Sequence, residues 1–227
     1  MKLGTYQDIM DRIGHGKKAE LVRSAKLPFS QKLALSAAVG RIGDQSTLAE
    51  SFADPVLEII KLFNQAIKQQ VFDRYALAGG LAVEYYGAPI NTVDADFLVF
   101  FPETSSGLLD PSGFFDFFRR QGARTDGEYL VLHESKFQLI PANTPLDTEA
   151  LQSASSVSEK GTPFFVVTPE HLIALKLRAW RYKDRLHINH LLDSDVALDE
   201  VRLLSILQRH QLQARWQQLL DERKKIA

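Results

Sequence analysis

Two aspartates stand two residues apart in Thr92-Val93-Asp94-Ala95-Asp96, just ahead of the apolar run Phe97 to Phe101. On an extended strand alternate side chains leave the same face, so both carboxylates can hold divalent ions between them. That arrangement suits phosphoryl transfer, where metal ions neutralise a polyphosphate, orient the attacking oxygen and stabilise the leaving group. Upstream, Gly79-Gly80 separates the short apolar run Tyr75 to Ala78 from Leu81 to Tyr86, whose pattern is helical. Glycines allow backbone amides to approach a phosphate, and a helix start adds a favourable dipole. A bare Asp-x-Asp reads most simply as a solvated turn, but the glycine turn before it and the apolar run after it favour a site.

The elements that must position these residues follow from periodicity. From Pro55, the residues Val56, Ile59, Ile60, Phe63 and Ile67 recur at helical spacing opposite Glu58, Lys61 and Lys68, which predicts an amphipathic helix ending near Phe72. Tyr75–Ala78 reads as a strand, Leu81–Tyr86 as a helix, and Gly87-Ala88-Pro89 as a break. Ala95–Phe101, apolar nearly throughout, is expected to be a central strand with both faces covered, closed by Pro102. A helix is predicted over Phe114–Gln121, then two strands, Tyr129–His133 and Lys136–Ile140, joined through Glu134-Ser135 and ended by Pro141 and Pro145. Residues 146 to 163, rich in serine, read as a short helix and a loop before a strand at Phe164–Val167. Thr168 as N-cap, Pro169 at the first helical position and Glu170 in the first turn open a helical block that runs to Lys225. The chain thus divides into a helical N-terminal appendage (1–53, with a short helix at Lys32–Val39), a core (54–167) and a C-terminal helical region (168–227).

The segments Tyr75-Ala-Leu-Ala-Gly-Gly-Leu-Ala-Val-Glu-Tyr-Tyr-Gly87 and Thr92-Val-Asp-Ala-Asp96 resemble the motif of the DNA polymerase β-like nucleotidyltransferase superfamily, in its minimal and AbiEii-type toxin branch. Pro169-Glu-His-Leu-Ile-Ala-Leu-Lys176 and Arg181-Tyr-Lys183-Asp184 resemble the helical segment of the same group, so the likeness spans residues 70 to 216. The resemblance implies an α/β (α+β) fold, a polymerase β-type sheet flanked by helices. It implies magnesium as cofactor and transfer of a nucleotide from a nucleoside triphosphate to a hydroxyl of RNA (tRNA included), protein or a small molecule, in a toxin–antitoxin setting. On this likeness Asp94 and Asp96 bind the metal, Gly79, Gly80 and Thr92 belong to the nucleotide site, and Lys176, Lys183 and Asp184 lie near the nucleotide. For Lys176, Arg181 and Lys183 a solvated helix face fits the spacing equally well.

Two positions depart from the pattern. Active relatives carry a third carboxylate as general base on a neighbouring strand, where Lys136-Phe-Gln-Leu-Ile140 has Gln138; an amide takes no proton at neutral pH. Glu128 or Glu134 could substitute from nearby, or positioning and electrostatics could suffice without a strong base. The arginine expected two positions before the threonine is Ile90. These departures keep open a second reading, a degenerate domain that binds a nucleotide or a cognate partner protein without turnover. A third places the function in residues 1 to 53. His187 falls where many relatives place an acid or arginine; with His190 it reads as a polar seam against the sheet, since no third metal ligand is evident. His133, His171 and His210 have no assigned role.

Composition narrows the field. With 27 basic and 28 acidic residues the chain has no overall bias toward nucleic acid or anionic membrane, so any RNA site must be a local patch. Without cysteine there is no disulfide, zinc-thiolate site or thiol nucleophile, which leaves hard ions such as magnesium favoured. Asp8, Asp11 and Arg12 interrupt what a signal peptide would need, and no stretch reaches about eighteen apolar residues, so a cytoplasmic protein without membrane contact is expected. Leu203, Leu204, Ile206 and Leu207, followed by Leu212, Trp216, Leu219 and Leu220, suggest a packed helix pair or a homodimer face.

Overall fold

The computed structural model describes residues 53–88, 90, 92, 94–102, 108–133 and 135–225. The N-terminal appendage and its Lys32–Val39 helix lie outside the described residues, as does Glu134.

Helix α1 (Ala53–Lys68) forms on the apolar spacing read from the sequence, burying Val56, Ile59, Ile60, Phe63 and Ala66 while Glu58 and Lys61 pair at 2.5 Å on its solvent side. It stops at Lys68 rather than near Phe72, because Gln70 takes a left-handed φ of 57°. Phe72 instead packs edge-on to Phe63 and stacks on Phe114, with ring centroids 5.6 and 4.6 Å apart. Strand β1 (Tyr75–Ala78), helix α2 (Gly79–Tyr85) and strand β2 (Asp94–Val99) follow. Then come α3 (Ser112–Arg120), β3 (Arg124–Asp126), β4 (Tyr129–Leu132), β5 (Ser135–Pro141), α4 (Pro145–Gln152), β6 (Ser155–Glu159) and β7 (Thr162–Val166). Four helices complete the described chain: α5 (Pro169–Ala179), α6 (Tyr182–Leu192), α7 (Glu200–Arg209) and α8 (Gln213–Lys224).

The seven strands make one mixed sheet in the order β3-β4-β5-β2-β1-β7-β6. β2 is central as its apolar run requires, antiparallel to β1 and parallel to β5. On one face Phe97 and Phe137 meet Phe63 and Phe118 from α1 and α3. Tyr75 joins this aromatic core, and its buried hydroxyl is satisfied by donating to Asn64 at 2.9 Å. On the opposite face Ala76 and Ala78 are small, which lets α2 settle close against β1 and β2. α2 in turn packs on α5 and α6.

The structure corrects the reading of residues 146 to 163. Ser155–Glu159 is a strand, not a loop, paired antiparallel with β7 at the sheet edge. Its side chains are mostly exposed, so it lacks the apolar alternation that marks a strand in sequence. β3, all exposed, escaped for the same reason. Thr168 is the N-cap of α5, but its hydroxyl bonds His171 Nδ1 at 2.9 Å instead of capping a backbone amide. The capping box is at α4, where the Thr144 and Asp147 side chains satisfy each other's backbone amides and Arg178 ties Asp147 to α5.

Candidate active site

The aspartates share the sheet face that carries α2, because their neighbours Ala95 and Phe97 point into the aromatic core on the other side. Register places Asp96 between Ala78 of β1 and Gln138 of β5, and Asp94 beside Lys136. The β4–β5 ladder ends at Leu130–Phe137, and Tyr129, the next residue along β4, feels the charges of both Asp94 and Asp96. A row of Ala78, Asp96 and Gln138 therefore crosses three strands on one face. Position 138, where a third carboxylate was sought, does adjoin Asp96, and it holds an amide. Glu128 is exposed beside Tyr129 and does not occupy that position.

The two glycines are explained by their neighbours. Gly79 has φ +62°, and a Cβ there would stand 2.6 Å from Asp96 Cγ, 2.7 Å from its Cβ and closer still to Oδ2. A Cβ on Gly80 would lie 2.9 Å from both Oγ1 and Cγ2 of Thr92. The turn is pressed onto the residues that sequence placed in the site: Gly79 on Asp96, Gly80 on Thr92. Burial pushes the Asp96 carboxyl above its ordinary range; the Lys176 charge offsets part of this, Asp94 adds to it, and Lys183 and Arg181 offset a little more.

Those cations come from the α5–α6 corner. Trp180 ends α5 in the left-handed region at φ 56°, and the guanidinium groups of Arg185 and Arg215 lie 5.3 and 5.9 Å from its ring centre. Arg215 also donates to the carbonyls of Leu177 and Arg178 at 2.8 and 2.6 Å, fixing the turn. On α5 Lys176 is only 7% exposed, so the solvated-face reading fails for it. Its Nζ lies 3.0 Å from His187 Nδ1 and 3.8 Å from Asp184 Oδ1. Burial lowers the lysine to about 8, with Asp184 and Asp96 pulling it back up. Asp184 is buried as well, which would raise its carboxyl, but the Arg181 hydrogen bond and the Lys176 charge leave it lowered. Arg181 and Lys183 are exposed, as a helix face would be, yet both act on Asp96.

Sequence reasoning missed Tyr129 and the contact of His187 with Lys176. Tyr129 is raised by burial and then by Asp94, Glu128 and Asp96, and Lys136 Nζ sits 5.7 Å from its ring centre. Only strand register could have revealed it. His187 meets Lys176 of α5, a contact its spacing did not suggest. His171 and His210 converge on Glu149, at 3.3 and 2.7 Å, with Arg209 on the same carboxylate; this knot ties α4, α5 and α7 together.

The donor set of Asp94, Asp96 and the Gln138 amide oxygen is all hard oxygen, which fits magnesium bound through one or two carboxylates with phosphate oxygens and water completing its shell. Among the described residues no group of three or more His, Asp or Glu side chains is placed to hold a metal. No described helix is long and apolar enough to cross a membrane.

Comparison with known proteins supports the fold. The sequence matches no protein-family model and none of the curated proteins. Among solved structures, the chain is similar to an antigenic nucleotidyltransferase-like protein from Paracoccidioides brasiliensis, with TM-score 0.53 and 14% identity over 76% of this chain and 90% of that one. The antibiotic-resistance factor ANT(2'')-Ia in solution gives TM-score 0.47 at 13% identity, covering 76% of this chain and 98% of that one. ANT(2'')-Ia in complex with adenylyl-2''-tobramycin gives 0.48 at 14%, covering 71% and 99%. The chain has a nucleotidyltransferase-like fold, a mixed seven-stranded sheet flanked by helices.

Proposed function

We propose that this chain is a magnesium-dependent nucleotidyltransferase, moving a nucleotide from a nucleoside triphosphate to an acceptor hydroxyl. The observation that carries the reading is the meeting of three elements at one point: Asp94 and Asp96 on one face of β2, the Gly79 turn pressed onto Asp96, and the buried Lys176 ammonium acting on the same carboxylate. The nucleotidyltransferase-like fold supports it. The acceptor class is RNA, tRNA included, a protein or a small molecule; the likeness of Pro169–Asp184 to AbiEii-type toxins favours RNA and a cognate partner protein.

In transfer, an acceptor hydroxyl oxygen bonds the α-phosphorus while the bridge to the β-phosphate breaks; pyrophosphate leaves and the hydroxyl proton passes to solvent. Magnesium, when bound, supplies charge neutralisation at the phosphates. Asp94 and Asp96 hold their oxygens on a rigid central strand, so little reorganisation is required when the nucleotide arrives. Lys176 brings a positive charge out of water and close to Asp96, where screening is weak. Gln138 can orient a hydroxyl through its amide but cannot remove its proton, so positioning and electrostatics carry the rate.

A second reading, a domain that binds a nucleotide without turnover, is favoured by one observation, the amide of Gln138 beside Asp96. One experiment separates the two. Wild type and the Asp94→Ala/Asp96→Ala variant are incubated with magnesium, each labelled nucleoside triphosphate in turn, and total RNA, a protein extract or a set of small hydroxyl compounds as acceptor. Label transfer by the wild type alone supports the enzyme; metal-dependent nucleotide binding with no transfer to RNA, protein or small hydroxyl compounds supports the binding domain.

A further inference from the structure

His187 lies on α6 beside the α5–α6 corner and has no role in this scheme. It is half-buried, and its Nδ1 lies 3.0 Å from Lys176 Nζ. An ammonium group has three N–H donors and no acceptor, so at this distance Nδ1 must accept and the ring proton must sit on Nε2. Burial, and then the Lys176 charge, hold the imidazolium down to about 4, so the ring is neutral near pH 7. A neutral acceptor orients the lysine without cancelling its charge. Asp184 cancels it incompletely, since its short contact is with Arg181 Nε at 2.7 Å and it reaches Lys176 only at 3.8 Å. A carboxylate at position 187 would neutralise Lys176, and an arginine would repel it. Lys176 is also the charged group that Asp96 feels most strongly.

Resting on the nucleotidyl-transfer reading, we infer that His187 is a positioning residue whose neutral Nδ1 holds the Lys176 ammonium toward the phosphates of the incoming nucleotide. It touches neither nucleotide nor acceptor and acts through the lysine.

The test combines two readouts. Calorimetry measures binding of magnesium with a non-hydrolysable analogue of each nucleoside triphosphate to wild type, His187→Leu, His187→Asn and His187→Asp, with melting temperatures alongside. Nitrogen-15 NMR reads the His187 ring in wild type and in Lys176→Met. The expected wild-type ring is the Nε2–H tautomer, with an Nδ1 resonance that moves in Lys176→Met. His187→Leu should bind about tenfold or more weakly, the order expected when a hydrogen bond to a charged group is lost. His187→Asn, whose amide oxygen can accept from the lysine, should recover most of the affinity, and His187→Asp should bind more weakly than His187→Asn. Equal affinity for His187→Asn and His187→Asp decides against the inference even if His187→Leu does not fold. Unchanged affinity in His187→Leu, or a ring proton on Nδ1, overturns it while the nucleotidyl-transfer reading stands. A wild type that binds none of the nucleotides, with the Lys176–His187 coupling intact by NMR, overturns both.

Discussion

Asp96 and Gln138 face each other across the parallel β2–β5 ladder, while Gly79 closes the other side of the same carboxylate. The position that would carry a proton-accepting group is thus occupied in space, adjacent to the candidate metal ligand, by a side chain that cannot accept a proton. Gln138→Asp is expected to raise the rate of label transfer by roughly a hundredfold, the low end of what a well-placed general base contributes. Like-charge repulsion with Asp96 should also make the variant's melting temperature depend more strongly on magnesium. A single-turnover assay across a magnesium series checks both; an unchanged rate would show that chemistry here needs no carboxylate at 138.

Asp96 is a buried carboxylate beside a second one, and burial disfavours its charge. Asp96→Asn should therefore abolish detectable transfer, a loss of at least about a hundredfold, while leaving the metal-free protein no less stable than wild type, since an uncompensated buried charge costs stability. Differential scanning calorimetry without magnesium, paired with the transfer assay, separates the two effects. A large drop in melting temperature would mean that Asp96 serves the fold instead.

Gly79→Ala should destabilise the chain by about 1–3 kcal/mol from its left-handed backbone alone, and displace Asp96 as well, because the new Cβ would overlap its carboxylate. Gly80→Ala has no positive φ to strain and meets the Thr92 side chain first, at 2.9 Å, so it should be milder. Thr92→Ala removes the Oγ1 and Cγ2 atoms that a Cβ on Gly80 would meet, so the Gly80→Ala/Thr92→Ala pair should be more stable than the sum of its single changes predicts. Urea unfolding of the three variants measures the coupling.

Glu149 is held down to about 2, first by its hydrogen bond from Arg209 and then, against the cost of burial, by those from His210 and His171. Its folded value lies below the ordinary value of 4.5, so its stabilising contribution is complete above about pH 4.5 and is lost as pH falls from there toward 2. Because the carboxylate is partly exposed, the contribution is on the order of 1 kcal/mol. Urea melts between pH 5 and about 2.5 should show wild type losing more stability than Glu149→Gln; parallel losses would place the acid sensitivity elsewhere.

Much of this protein was legible as pattern. The 3.6-residue spacing of Val56 to Phe63 fixed α1 and the apolar run after Asp94 fixed a central strand, because each depends on burial along a single segment; the Gly79-Gly80 pair, read as a turn before a helix from Leu81, is itself the first part of α2. Ser155–Glu159 and Arg124–Asp126 were not legible as strands, since an exposed edge strand is held by the backbone of its neighbour and needs no apolar alternation of its own. The local chemistry of the candidate site, Asp94 and Asp96 on one face, follows from their spacing alone.

What surrounds those aspartates was decided by tertiary structure. Strand register set Gln138 beside Asp96, and the Trp180 corner folded α6 back so that His187 met Lys176, turning a lysine that could equally have been solvated into a buried cation. A sequence determines which side chains alternate and which recur at helical spacing. It does not display which strand lies beside which or how sharply two helices turn, and the burial that tunes Lys176, His187 and Asp96 depends on both.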